Sequence, residues 1–249
     1  APNGTLWLSW VEPGRNGFNA LRTSTFDSAA RKWRSARTIA AGTDVAASKM
    51  DFPQIVFQEE GDAVALWTDG HGGALYSSSR DGADWTKSLP WTGESLQVEK
   101  FSLARLADGR ALVVWLDGRA LASGGRSQLY ARVLGSTGSD VLVDPSVCDC
   151  CSTTLTAFPD GGALVAYRGR TTEEVRDIRT ARFRGRSWDE PRSLSNDDWR
   201  INGCPMNGTR LASDGGRVAA AWFTAAENDP RVLASYSPDA GGRFLMPLR

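Results

Sequence analysis

The chain has 249 residues, 29 basic against 29 acidic, with four cysteines and one histidine. Balanced charge gives no sequence-independent pull toward nucleic acid or acidic membranes, and one histidine excludes His-rich metal sites and the two-histidine zinc-protease helix. No run of 18 uninterrupted apolar residues offers a transmembrane segment. The 26 glycines and 10 tryptophans point to tight turns between short strands that carry large core anchors.

Taken in chain order, the sequence repeats itself. A first unit, about 1–45, carries NGTLWLSW ending at Trp10 and then NALRTST. A second, 46–95, carries FPQIVF, EGDAVALW ending at Trp67, and GALYSSS. A third, 96–145, carries FSLARLA, DGRALVVW ending at Trp115, and QLYARVL. A fourth, 146–198, carries TTLTAF, DGGALVAY ending at Tyr167, and DIRTARF. A fifth, 199–249, carries GTRLA, GGRVAAAW ending at Trp222, and RVLASYS. A glycine stands six residues before each aromatic (Gly4, Gly61, Gly109, Gly161 and Gly216), and the aromatics are spaced by 57, 48, 52 and 55 residues.

Each unit reads as two antiparallel strands joined by a Gly-containing hairpin, then a third strand, a turn and a short fourth strand. No window shows a 3.6-residue period, so almost no helix is expected. Such a four-stranded unit, repeated in one domain over 1–249, predicts an all-β fold, a β-propeller of four-stranded antiparallel blades. The first unit starts at its second strand. A six-bladed ring at about fifty residues per blade needs roughly 300, so about five blades are expected, as a fragment of a larger propeller in preference to an open arc with exposed sheet edges.

The turn after the last third strand places Ser237, Asp239, Gly241 and Phe244 in the order S-x-D-x-G-x-x-F. This resembles the Asp-box (BNR repeat) of sialidases. Worn copies stand at Ser78, Gly82 and Trp85 with Asp81 shifted by one, at Gly185 and Trp188, and at Trp33. Over nearly all its length the chain resembles the sialidase-like (neuraminidase-like) six-bladed propellers, including uncharacterised bacterial members. The resemblance implies a small-molecule or glycan ligand, exo-glycosidase (sialidase) chemistry, and a secreted or periplasmic bacterial protein.

Blade topology gathers the leads into first strands and the second-to-third-strand loops on one axial face. Those loops supply the catalytic candidates Asp69, Asp117 and Glu174, and the ligand-binding candidates His71, Arg119, Arg168, Arg170, Arg176 and Arg231. Planar guanidinium groups suit two-handed binding of a ligand carboxylate. The resemblance implies three such arginines, a Tyr–Glu nucleophile pair and an Asp acid. Here the family's arginine-bearing F/Y-R-I-P string is missing, its nearest match being Phe52-Pro53-Gln54-Ile55, and none of the four tyrosines stands as an evident nucleophile. These departures favour binding over catalysis. A non-catalytic binding or scaffold propeller is the alternative.

Cys148-Asp149-Cys150-Cys151 and the later Cys204 each stand just before a first strand, in neighbouring units. Three readings fit them. The first is disulfides, one linking the CxCC segment to Cys204. The second is a soft-metal site for Cu or Zn, completed by Asp149 or Met206. The third is unpaired structural thiols. A bridge between Cys148 and Cys150 would be strained.

Overall fold

The alternating apolar runs form strands in the computed structural model, which describes residues 1–48, 51–58, 62–91, 97–136 and 139–249. Gly61, one of the periodic glycines, lies outside the described residues. The chain divides into two units, Ala1–Glu99 and Lys100–Arg249.

In the first unit, β1 (Trp7–Glu12) pairs with β2 (Asn19–Asp27), and β3 (Lys32–Trp33) and β4 (Arg37–Gly42) share the other edge of β2. This sheet therefore starts at the strand that carries the periodic aromatic. The second sheet runs β5 (Gln54–Phe57), β6 (Ala63–Thr68), β7 (Ala74–Ser79), β8 (Leu89–Pro90) in chain order, with every described pairing antiparallel. Leu21, Ile39 and Val45 of the first sheet and its exit pack on Ala65 and Trp67 of the second.

In the second unit, β9 (Val98–Arg105), β10 (Ala111–Asp117), β11 (Gln128–Val133) and β12 (Val141–Asp144) form the third sheet. The fourth is β13 (Thr154–Ala157), β14 (Ala163–Arg168), β15 (Ile178–Phe183) and β16 (Arg192–Ser193). The fifth is β17 (Thr209–Asp214), β18 (Arg217–Thr224) and β19 (Arg231–Ser237), with Leu248 bridging to Ala234 on the free edge of β19. Helix among the described residues is limited to three short 3-10 turns.

β6, β10 and β14 are buried along their whole length, which is why AVALWT, ALVVWLD and ALVAYR are nearly continuous apolar runs. Leu112, Val114 and Leu116 pack with Val165, Tyr167 and Phe183 between the third and fourth sheets. Ala166 and Ile178 pack with Trp222 and Leu233 between the fourth and fifth. Each fully buried side chain of this size contributes roughly 1.5–3 kcal/mol.

The periodic aromatic has a polar tip, and that tip is always satisfied in the four buried instances. Trp67 Nε1 donates to Asp44 O at 3.1 Å, Tyr167 Oη to Asp144 Oδ2 at 2.6 Å, and Trp222 Nε1 to Asp197 Oδ2 at 2.8 Å. In each case the partner follows the outer strand of the preceding sheet or ends it. Trp115 differs, donating to Asp117 Oδ2 at 2.8 Å two residues along its own strand. This recurring bond explains Trp or Tyr, rather than Phe, at the end of the second strand.

The S-x-D-x-G-x-x-F turn is closed by its own side chains. Ser237 Oγ donates to Asp239 Oδ1 at 2.7 Å, and Asp239 Oδ1 accepts from Arg243 N at 2.9 Å. Gly82, in the corresponding turn of the second sheet, has φ +69°, and a Cβ there would collide with the Trp7 ring.

Candidate functional site

The second-to-third-strand connections carry the candidate residues, and the structure sorts them into separate groups. Asp69 and His71 belong to the first unit. Asp69 Oδ1 accepts from His71 N at 2.7 Å and Gly73 N at 2.9 Å, closing the turn between β6 and β7. The His71 side chain is exposed.

At the end of β10 Asp117 is fully buried. Its oxygens accept from Trp115 Nε1, Arg119 N, Arg119 Nε (2.9 Å) and Arg119 Nη2 (2.8 Å). Arg119 also donates to Asp140 at 2.8 Å and stacks 3.9 Å above the Tyr130 ring. Its pKa is raised, first by the hydrogen bond to Asp117. Asp117 is thus held by Trp115 and Arg119, and Arg119 by Asp117, Asp140 and the Tyr130 ring. Arg231 in the β18–β19 connection is likewise turned inward, donating to Ala226 O at 3.0 Å and Asp229 O at 2.8 Å.

The β14–β15 connection is different. Arg168 was expected to meet ligand, and burial corrects this: it is 1% exposed. Its three nitrogens donate to Asn207 O (2.9 Å), Arg176 O (2.5 Å) and Phe223 O (2.8 Å), and its guanidinium lies 4.8 Å from the Trp199 ring. It ties three backbone segments together and has no face left for solvent. Burial pushes its pKa down, opposed by the nearby Cys151 and Cys148.

Beyond it, Glu174 gathers guanidinium groups. Arg170 meets it two-handed, Nη2 to Oε1 at 2.8 Å and Nε to Oε2 at 3.0 Å. Arg176 Nη2 donates to Oε2 at 2.8 Å, and Arg126, arriving from the β10–β11 connection, stands 4.0 Å away. Glu174 is held down at about 2 by the hydrogen bonds from Arg170 and then Arg176. The loop is stiff. Thr171 Oγ1 accepts from Val175 N at 3.2 Å, Ile201 N donates to Glu174 O at 3.1 Å, and Asp177 accepts from Asp198 N and Trp199 N. Beside it lies a cleft of about 270 Å³ lined by Gly169, Arg170, Thr171, Val175, Arg179 and Ser193, among others.

Arg176 connects this group to the cysteines. Its side chain is 4% exposed, and Nη1 lies 3.4 Å from Cys148 Sγ and 3.8 Å from Asp149 Oδ1. Cys148 Sγ is 2.9 Å from Cys151 Sγ and 3.7 Å from Cys150 Sγ. Cys150 and Cys204 form a disulfide with their Cα atoms 6.2 Å apart, while Cys148 and Cys151 are free and buried. The Cys148 thiol is drawn down by the hydrogen bond from Cys151, then by Cys150 N–H and Arg176, against burial. Cys151 is pushed up by donating to Cys148 and by burial.

Of the three readings of the cysteines, one disulfide and one free pair is what the structure holds. The sulfurs of Cys148, Cys150 and Cys151 are close enough to share a metal ion, but Cys150 is already bonded to Cys204. Two thiols remain, short of the four ligands of a closed zinc site. Met206, a candidate to complete a soft-metal site, is 50% exposed.

Gly208 makes this meeting of segments feasible. A Cβ at that position would collide with the Ser152 carbonyl, so only glycine lets the stretch that carries Cys204 lie against 150–152. Arg126, Asp144 and Gly208 were not singled out from sequence, and Asn207 stood out only as part of an Asn-Gly-Thr glycosylation pattern. Their roles depend on neighbours 23 to 56 residues away.

No family model matches the sequence, and no curated protein does. Solved structures do match. The alpha-L-arabinanase of Penicillium chrysogenum superposes with a TM-score of 0.61 at 13% identity, over 96% of this chain and 73% of its own. The BP39L lectin of Burkholderia pseudomallei gives 0.66 at 13% identity, over 93% of this chain and 64% of its own. The Hadza microbial sialidase Hz136 gives 0.57 at 13% identity, over 98% and 56%. The fold is a β-propeller, of the kind shared by these three proteins. The chain thus spans less than two thirds of the lectin and of the sialidase. Four of the five described sheets have four strands and the last has three, and the residues described above are what this chain places on that frame.

Proposed function

We propose that this propeller binds an acidic carbohydrate and does not cleave it. The observation that carries the reading is the convergence of Arg126, Arg170 and Arg176 on one half-exposed carboxylate, Glu174. Three guanidinium groups around one carboxylate make a site of the kind that holds a ligand carboxylate. An acidic sugar in the neighbouring cleft would take over Arg170, which lines it, from Glu174. Arg176, more deeply buried, keeps its place. Carbohydrate as the ligand class is supported by the solved neighbours, an arabinanase complexed with arabinobiose, a lectin and a sialidase; a shared fold alone does not fix function.

The chemistry of the candidate acids supports binding over hydrolysis. Glycoside cleavage uses a proton-donating carboxylic acid opposite a second carboxylate. Glu174 is held ionised, and its oxygens are occupied by arginines. Asp117 is enclosed by Trp115 and Arg119. Tyr167, fully buried, spends its hydroxyl on Asp144, and its pKa is pushed up by burial.

The test is a binding titration of the full chain with sialic acid- or glucuronate-terminated oligosaccharides and their neutral counterparts, beside fluorogenic sialosides and arabinosides. Acidic glycans bind, neutral ones do not, and no fluorophore is released. Arg170→Ala weakens binding about tenfold, the size of one lost charge-assisted contact. Turnover above the blank, or equal binding of neutral glycans, overturns the reading.

A further inference from the structure

The sulfur cluster is not used by the binding site proposed above, and its layout is graded from surface to interior. Cys204 is exposed and Cys150 half-buried, while Cys148 and Cys151 are buried. The outer pair is a disulfide and the inner pair a dithiol. The inner pair has the C-x-x-C spacing, with its sulfurs 2.9 Å apart. Its Cys148 sulfur also touches the outer disulfide, 3.7 Å from Cys150 Sγ.

We propose that the four cysteines form a thiol–disulfide exchange centre, in which the outer Cys150–Cys204 disulfide and the inner Cys148/Cys151 dithiol interconvert and an external thiol gains access at Cys204. The inference is independent of the carbohydrate reading.

The steps balance within the chain. Cys148 thiolate attacks Cys150 Sγ; the Cys148–Cys150 bond forms, and Cys204 leaves as a thiolate. Cys151, giving its proton to Cys204, then attacks Cys148 Sγ; the Cys148–Cys151 bond forms, and Cys150 leaves as a thiolate. One disulfide, one thiol and one thiolate stand on each side, so no outside oxidant is consumed. The strained Cys148–Cys150 bridge exists only between the two steps. Exchange with solvent follows the same chemistry. An external thiolate attacks Cys204 Sγ and releases Cys150 thiolate, and a second external thiol resolves the mixed disulfide. Two external thiols become one disulfide as the outer pair gains two electrons.

The surroundings favour the nucleophile. Arg176 Nη1, 3.4 Å from Cys148 Sγ, places a buried positive charge beside the sulfur. Cys148 N donates to Arg168 O at 2.9 Å, so the attacking residue is fixed to the end of β14. Arg168 reaches the Cys204 side through Asn207 O at 2.9 Å, which holds the two segments in register.

Mass spectrometry separates the isomers. Cleavage after arginine leaves 133–168, with three cysteines, and 201–210, with Cys204. The full chain is equilibrated in glutathione redox buffers, quenched in acid and alkylated. Among molecules with two alkylated thiols, two forms are expected. One has 133–168 linked to 201–210. The other has a Cys148–Cys151 loop inside 133–168 and Cys204 alkylated. Cys148→Ser lowers the looped form at least tenfold. Brief exposure to reduced glutathione places glutathione on 201–210 first. The proposal is overturned if only the linked form is found at every redox setting, which makes the disulfide purely structural. It is also overturned if the isolated protein carries one equivalent of metal on four reduced cysteines. The wild-type peptide ratio answers the question even where Cys148→Ser fails to fold.

Discussion

Two equivalent corners of the second unit, after β10 and after β14, carry the same residue types and use them in opposite ways. After β10, Trp115 takes its partner Asp117 from its own strand, and Arg119 closes over the same carboxylate. After β14, Tyr167 reaches back to Asp144 at the end of β12, where Arg179 also donates at 2.7 Å. The aromatic is satisfied from behind, so the charges of 168–176 remain for one another and for the sulfurs. Between these two corners, the one whose aromatic bonds within its own strand is closed over its carboxylate, and the one whose aromatic reaches back keeps its charges for one another.

The closed corner should break hardest. Asp117→Ala removes the carboxylate shared by the Trp115 indole N–H and the Arg119 guanidinium, while Arg119 keeps Asp140. A loss of about 3 kcal/mol is expected in urea unfolding, with no selective loss of glycan binding. A variant as stable as the wild type would mean that Asp117 is not the anchor of its corner.

The second corner depends on a close approach. Gly208→Ala should cost about 1–3 kcal/mol through overpacking against the Ser152 carbonyl. In the unfolded protein, thiol titration should rise from the two free cysteines of the native chain toward four. An unchanged thiol count would show that the disulfide forms without that approach.

Tyr167→Phe tests the back-reaching bond itself. Asp144 keeps Arg179 and Ser146 N, so the loss should be about 1.5 kcal/mol, that of one hydrogen bond to a charged group. Denaturation of this variant beside Asp117→Ala then ranks the two anchors directly.

The smallest effect concerns Glu174. Its folded pKa is about 2, below the ordinary 4.5, because of Arg170 and Arg176. A depressed carboxylate stabilises the fold fully above its unfolded pKa, and that contribution is lost as pH falls from there through the folded value. The Tm difference between wild type and Glu174→Gln should hold at pH 6, shrink below about 4.5 and vanish near 2. A difference constant down to pH 2 would remove Glu174 from charge pairing.

Much of the fold was legible in the sequence because it rests on local periodicity. The fixed glycine-to-aromatic offset marks a hairpin and a buried anchor, and those strands end at Trp67, Trp115, Tyr167 and Trp222 or within two residues of them. The close placement of Cys204 by Cys150 could also be read, since both precede a first strand in neighbouring units. The divergence among the charged residues could not. Arg119, Arg168 and Arg170 look alike in sequence, yet one is closed on Asp117, one is spent on main-chain carbonyls, and one faces a cleft.

The sequence by itself determined an all-β chain of repeated antiparallel sheets, because strand alternation and turn glycines act over a few residues. Tertiary structure alone decided which arginine is buried, which carboxylate is saturated, and which two sulfurs are joined. Those outcomes depend on atoms brought together from segments tens of residues apart, where one hydrogen bond to Asp144 or one missing Cβ at Gly208 decides the result.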